Sequence, residues 1–451
     1  MSTSDPLATP ARQFFAALHE GAPARARETL AAHPGLARFG VAWAAAAADS
    51  QALLDFLRDD PDAVARPVEP GAWTLLHAAA LSPVTDEDLV RRVIEILLDR
   101  GADPSSMGGA EGARVSALFT ALHSGHLGAA RLLLERGANP NDGECVYHMA
   151  EHDDRRALDL LLAFGADVSG RQEPYGNTPL FFLAGYREAH PVAPAATRGM
   201  RWLLEHGADP NVTSRPTDET ALHRVIESGR RAAVIDMLLA HGADPRLARA
   251  DGRTPYVLAV RAGNADALRI LRERGVDNGE LTPIDRLLGA GRLGDVSGAR
   301  ALLAEHPQLL EDLAPADRAA TAQAAEDGRA EAVRTLLDIG FDPAWEGEWG
   351  GTPLHQAAWR GNLPLVEMLL ARAAPVDARD LAFGSSPLGW AAHGSKHFRS
   401  ADREYAAVIE RLIAAGATLE PSINKWGGPP HTLASPGIAR LLAERGFVPG
   451  V

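Results

Sequence analysis

The sequence predicts an all-α solenoid: helix-turn-helix units stacked side by side, short β-hairpin-like fingers between them, and two arrays along the chain. Three observations predict it. The first is one well-formed unit, residues 351 to 373, in which Thr352 stands as a cap ahead of Pro353. A threonine oxygen accepts an orphan backbone N–H, and proline fits the first turn because its missing N–H would have had no partner there. Leu354, Ala357 and Ala358 recur at helical spacing, Gly361 stops that helix, and Val366, Leu369 and Leu370 line one face of a second. The second observation is recurrence. The ending Leu-Leu-x-x-Gly-Ala-Asp-Pro closes units at Gly101, Gly207 and Gly242, with variants at Gly137, Gly165, Gly275, Gly340 and Gly416. The third is the interval, 36 residues from Gly101 to Gly137, 35 from Gly207 to Gly242 and 33 from Gly242 to Gly275. A hairpin this small cannot bury its own apolar face, so it must stack on copies of itself.

The glycine in that ending supplies the left-handed residue that closes a helix C-terminus. With Thr-Pro-Leu-His heading the unit at residues 352 to 355 and a Leu-Leu-x-x-Gly-Ala ending at a period near 33, the sequence resembles the ankyrin-repeat family over nearly the whole chain. The resemblance implies a solenoid whose inner helices face a concave groove. It also implies that the histidines of the heading motif, His77, His223 and His355, are structural, hydrogen-bonding within and between repeats.

Taken in order, residues 1 to 10 read as a flexible tail. A first array follows over residues 11 to 277, opened by a divergent cap. The pattern Phe14-Phe15-x-x-Leu18 then Ala26-x-x-Thr29-Leu30 suggests a helical pair ending at His33-Pro34, and a second divergent pair runs through Trp43 to Asp60-Pro61. The regular members begin at Thr74, Ser116, Glu144, Thr178, Thr220 and Thr254. The Thr178 unit carries an Ala- and Pro-rich insertion, residues 186 to 197. At Thr282-Pro283-Ile284-Asp285 the register resets, and the ending Leu302-Leu303-Ala304-Glu305-His306-Pro307 matches the first pair's Thr29-Leu30-Ala31-Ala32-His33-Pro34. A second array, residues 278 to 451, therefore has its own cap-like first repeat. Its later units start at Ala319, Thr352 and Ser386, the last with an insertion at residues 394 to 403, and a truncated pair closes it between Leu433 and Gly446.

Composition narrows the functional classes. The chain has 451 residues, 46% of them apolar, which excludes wholesale disorder. Its net charge of −14 argues against non-specific binding to nucleic acid or an anionic membrane and makes a basic partner the easiest to accommodate. Cys145 is the single cysteine, so no internal disulfide framework exists and a reducing compartment is the simplest reading. The first residues lack a basic segment followed by an apolar one, and the longest apolar run, Val41 to Ala48, is far short of the roughly 20 residues that span a bilayer. A cytoplasmic, soluble protein is expected. The basic residues are almost all arginine, Lys396 and Lys425 being the exceptions, which with the abundant alanine suggests a GC-rich, bacterial coding sequence.

Carried over from the resemblance, the groove-facing positions just before each inter-helix turn are His123, Glu151, His152, Glu227, Arg261, Glu326, Asp327, Trp359, Arg360 and His393. Trp345 and Trp349 sit on the finger before Thr352, so with Trp359 and Trp390 they form one aromatic patch of the kind that anchors interfaces. The alternative makes Trp390 core and packs the others on the neighbouring finger. One local motif suggests chemistry. His148 and His152 share a helix face at i, i+4, and His-x-x-Glu-His is an arrangement that binds zinc in inverted zinc peptidases. Yet no neighbouring segment announces a third ligand, and Glu151 and His152 fall on surface positions of a repeat. His393 and His397 have the same spacing, but Gly394 is expected to break that helix.

No Gly-x-Ser-x-Gly elbow, phosphate-binding glycine loop with lysine, or paired-cysteine site is present, and no motif calls for a cofactor. The expected function is a non-catalytic module that binds another protein through the groove and fingers. The second reading is an enzyme that uses the groove for a metal, at His148 and His152, or for a small molecule at the tryptophan patch, with the two insertions as lids. A third is a structural or inhibitory partner of a neighbouring gene's product.

Overall fold

The computed structural model describes residues 7–68, 73–109, 114–172, 176–188, 190–276, 280–397, 402–418, 423–425 and 427–446. Residues 1–6 of the expected tail, residues 277–279 at the expected array junction and residues 398–401 of the second insertion lie outside them. The chain forms two compact units, each an ankyrin-type solenoid whose regular structure is mostly helical. One is drawn from residues 1–244 with 248–252, the other from residues 245–247 with 253–451.

In the first unit, short alanine- and leucine-rich inner helices stack in file: Val41–Ala46, Leu75–Ala80, Ala117–His123, Cys145–Glu151, Pro179–Ala184 and Ala221–Glu227. Outer helices such as Glu87–Asp99, Leu127–Glu135 and Arg155–Ala163 pack behind them. Four of these inner helices start on a side-chain cap. The Ser116 and Thr178 hydroxyls accept the N–H groups of Phe119 and Phe181, and Thr74 and Thr220 form capping boxes with His77 and His223. The expected structural role of the histidine is visible here. His77 Nδ1 lies 2.8 Å from Thr74 Oγ1, and its Nε2 lies 3.0 Å from the Val115 carbonyl oxygen in the next repeat. A buried imidazole thus satisfies one helix start and ties two repeats together. The fingers are vestigial: an antiparallel pair, Met107–Gly108 with Val115–Ser116, and bridges Val68–Trp73, Gln172–Asn177 and Ser214–Glu219.

The second unit repeats the plan with inner helices Pro255–Arg261, Pro283–Leu293, Ala320–Glu326, Pro353–Trp359 and Pro387–His397 in file. Its core joins Leu354, Ala357, Ala358, Val366 and Leu369 of the unit first singled out to Leu336, Leu388, Tyr405 and Leu412 of its neighbours. His355 repeats the bridge, at 2.9 Å from Thr352 Oγ1 and 3.1 Å from the Ser385 carbonyl oxygen. Outer helices end as expected on left-handed glycines, with φ of 90° at Gly207 and Gly242.

Both insertions are partly built into helices. The first is not wholly a loop, since Ala193 opens a helix, Ala193–Glu205, a turn longer than most outer helices. Arg230, whose side chain is fully buried, holds the segment by donating to the Tyr186 carbonyl at 2.7 Å and the Ala193 carbonyl at 3.2 Å. Nor does Gly394 break its helix, which runs from Pro387 to His397. A Cβ at Gly394 would meet the Trp359 carbonyl oxygen at 2.2 Å, so the glycine is present because two inner helices touch there. Among the described residues no helix is long and apolar enough to cross a membrane.

Candidate functional site

The second unit holds a cavity of about 460 Å³ lined from four successive units, with Trp349, Trp359, Phe383 and Trp390 among its walls. Trp359 is the last residue of its inner helix and Trp390 lies on the next one, so stacking brings them together with ring centres 6.0 Å apart and planes at 74°. Phe383 meets Trp390 at 6.2 Å and 65°, and Trp349 continues the wall at 6.4 Å from Phe383. Two fingers place these last rings. The Trp349 carbonyl accepts the Ala382 N–H at 3.0 Å, and the Phe383 carbonyl accepts the Lys425 N–H at 2.7 Å. Asp380, itself buried, fixes the finger, accepting the Phe383 N–H at 2.5 Å, the Ser385 N–H at 2.8 Å and the Trp390 indole N–H at 3.0 Å. Trp349 is 59% exposed and has φ of 65°, a left-handed conformation that a bulky residue adopts only under local constraint. Glu326, Gln356, Ser385, Asn424 and His393 supply the polar lining. Burial, then the neighbouring His397 and Lys396 charges, push the His393 pKa below the usual histidine value.

The first unit presents a different surface at equivalent positions. Phe119 stacks on His123 at 5.5 Å, His123 faces His152 at 6.4 Å, and His148 lies 5.4 Å from Phe119 and 6.1 Å from Phe182. His148 is clamped: Nδ1 is 2.7 Å from Glu151 and Nε2 is 3.1 Å from Glu144. The hydrogen bond to Glu144 raises its pKa, burial opposes, and Glu151 adds to the rise. Burial works to raise the Glu151 pKa, but hydrogen bonds from Tyr186 and His148 outweigh it and the net shift is downward. With both ring nitrogens committed to carboxylates, His148 has no nitrogen free for a cation. Among the described residues no group of three or more His, Cys, Asp or Glu side chains is disposed to hold a metal ion.

The sequence-chosen residues therefore separate. Glu326, Trp349, Trp359 and His393 converge on the cavity. Trp345 does not join that patch. It packs edge-to-face on Phe341 at 5.4 Å with the Arg318 guanidinium over its ring, because it lies on the core side of the finger. Asp327 is exposed and Arg360 half-buried, and neither lines the cavity. Arg261 is not presented to a groove: Asp285, at 2.5 Å, and Asp317, both from following repeats, enclose its guanidinium. Glu227 pairs with Arg249 at 2.8 Å beside Glu219, and burial raises its pKa despite that cation. Glu151, expected at the surface, is buried under Tyr186, while His123 and His152 are exposed. His393 and His397, set apart in the expectation of a break at Gly394, sit with ring centres 4.4 Å apart. Sequence reasoning missed Phe383 and Asp380. The available signal was the pair Leu381 and Phe383, two large apolar side chains on a short finger, both exposed.

The family profile described as ankyrin repeats (3 copies) matches residues 193–281, 288–380 and 321–417, and the single ankyrin-repeat profile matches residues 115–145. The chain belongs to the ankyrin-repeat family. Among curated proteins, this ankyrin-repeat protein is 25% identical over 291 residues to "Ankyrin repeat protein nuc-2" of Neurospora crassa, covering 57% of this chain and 24% of that one. It is 40% identical over 57 residues to the "2-5A-dependent ribonuclease" of Mus musculus, covering 13% of this chain and 8% of the ribonuclease. It is 30% identical over 163 residues to the "Probable E3 ubiquitin-protein ligase XBOS32" of Oryza sativa subsp. japonica, covering 36% and 32%. The chain thus spans less than a third of the length of each of these relatives. Among solved structures, the human ASB11 ankyrin repeat domain matches with a TM-score of 0.29 and 23% identity, over 61% of this chain and 100% of that domain. Ankyrin repeats are protein-protein interaction modules, and that coarse assignment extends to this ankyrin-repeat protein.

Proposed function

We propose that the protein captures a protein partner, without catalysing a reaction, through the inner-helix and finger face of the second unit. The observation that supports this reading is the cavity bounded by Trp349, Trp359, Phe383 and Trp390, with Trp349 59% and Phe383 40% exposed. Aromatic side chains with few rotatable bonds, held in a pocket and left partly uncovered, are the residues that dominate binding energy at interfaces. The two finger positions are the informative ones to remove, since both are exposed and their loss costs little folding energy.

The test compares the parent with the Trp349→Ala, Phe383→Ala double variant, each immobilised and exposed to lysate of the source organism, with captured proteins quantified by mass spectrometry. Proteins retained by the parent should fall about five-fold or more on the variant, with the circular dichroism spectrum unchanged. The captured protein should also slow amide exchange at residues 349–359 and 380–393. Equal retention by the two proteins would exclude this face as the binding surface.

A further inference from the structure

We propose that His393 and His397 form a two-ligand site for a divalent transition-metal ion, copper(II) above all. Both imidazoles stand on the helix Pro387–His397, which runs unbroken through Gly394. The i, i+4 spacing therefore puts the two rings one turn apart on a single face. Their centres are 4.4 Å apart with planes at 87°. Two imidazole nitrogens on one ion, each at about 2.0–2.1 Å from it, lie about 3 Å from one another. Rings centred 4.4 Å apart reach that separation by turning about side-chain bonds, and His397, being exposed, is the ring that turns.

What qualifies this pair is that its nitrogens are uncommitted. Among the described residues neither His393 nor His397 makes a hydrogen bond, and their ring contacts are to one another and to Trp359, at 5.2 Å and 6.1 Å. The chain's other pair at this spacing, His148 and His152, gives the contrast. His148 has Nδ1 on Glu151 at 2.7 Å and Nε2 on Glu144 at 3.1 Å. A metal there must break a charge-assisted hydrogen bond, whereas at His393 and His397 it breaks none. Burial, then the His397 and Lys396 charges, lower the His393 pKa, which favours the neutral imidazole that a metal requires. The Lys396 charge also opposes a hard ion held by charge alone. Imidazole donors select copper, nickel and zinc over magnesium or calcium, and copper(II) stands first in the order of affinities. With two protein donors, water completes the coordination in the isolated protein, so the site stands or falls independently of the partner reading above.

The experiment titrates the full chain at neutral pH with copper(II), nickel(II), zinc(II) and magnesium chlorides, following heat of binding and tryptophan fluorescence. The proteins compared are the parent, His393→Ala, His397→Ala, Trp359→Phe and a His148→Ala, His152→Ala double variant, with circular dichroism to confirm folding. Copper(II) should bind the parent most tightly, at one site, and quench its fluorescence. His393→Ala and His397→Ala should each weaken that site by about ten-fold or more, and the double variant should bind as the parent does. Trp359→Phe should keep the heat of binding and lose most of the quenching. Copper binding untouched by His397→Ala, which replaces an exposed ring, would overturn the inference. A loss confined to one of the two single variants would overturn it as well, since it would mean a lone imidazole, and so would a loss in the double variant or a preference for magnesium.

Discussion

Gly394→Ala separates two opposite accounts of one residue. If the glycine merely interrupted a helix, alanine would stabilise the protein by about 0.5–1 kcal/mol through its better helix propensity. The structure gives the opposite sign. The added Cβ would lie 2.2 Å from the Trp359 carbonyl oxygen and 3.1 Å from Tyr405 Cε1, and the oxygen belongs to a backbone that cannot swing aside. Restoring an ordinary contact requires the two inner helices to part by about 1 Å, an overpacking cost of about 1–3 kcal/mol. The same carbonyl accepts the Tyr405 hydroxyl at 2.8 Å, a bond that the displacement would stretch. After subtracting the propensity gain, mid-range values leave a net loss of about 1 kcal/mol. With urea slopes of about 1–3 kcal/mol per molar, the unfolding midpoint should drop by roughly 0.3–1 M. Urea titrations followed by tryptophan fluorescence and by circular dichroism check this, and a midpoint equal to or above the parent's would refute the helix contact.

Two further outcomes follow from the packing and the buried imidazoles. Leu369, fully buried in the second unit, should cost about 2–5 kcal/mol when cut to alanine, measured as a lower urea midpoint, because the neighbouring repeats cannot collapse onto the gap. His77 and His355 are held neutral, burial driving each pKa down to about 4. Because the folded value lies below the unfolded value of about 6.5, their contribution is fully present above that pH and is lost as pH falls toward 4. It amounts to about 3 kcal/mol for His355, the more deeply buried. The urea midpoint should therefore fall on acidification from pH 6.5 to 4.5, and less steeply in His355→Gln; parallel pH profiles would refute the assignment.

What was legible in the sequence had local causes. A cap at Thr352, a proline behind it and a glycine after the second helix act within a few residues, so they can be read from spacing alone. What was not legible depended on contacts between repeats. Gly394 looks like a breaker until Trp359 is placed beside it, and Gly199 is another such case, its Cβ position lying 1.9 Å from the Ala150 carbonyl oxygen. Arg261 stood at a groove position by register, but Asp285 and Asp317 arrive from later repeats and enclose it. Trp345 and Trp349 share a finger, and only the left-handed backbone at Trp349 turns the second outward while the first packs on Phe341. Phe383 became part of the cavity through backbone hydrogen bonds between fingers, which side-chain patterns do not encode.

The contrast between the two units comes from what surrounds the rings rather than from the rings alone. In the first, His148 is clamped by Glu144 and Glu151, and Tyr186 donates to Glu151, so the polar atoms of that surface are occupied by one another. In the second, glycine sits at three points where a bulky ring or its backbone comes close. Gly351 lies 3.2 Å from the Trp390 ring, Gly361 lies 3.2 Å from the Tyr405 ring, both measured from the position a Cβ would take, and Gly394 receives the Trp359 carbonyl. Small residues at these points accompany the approach of indoles from successive repeats to 6.0 Å, and Gly389 is among the residues that line the cavity. The arrangement of the rings thus depends on absent side chains as much as on present ones.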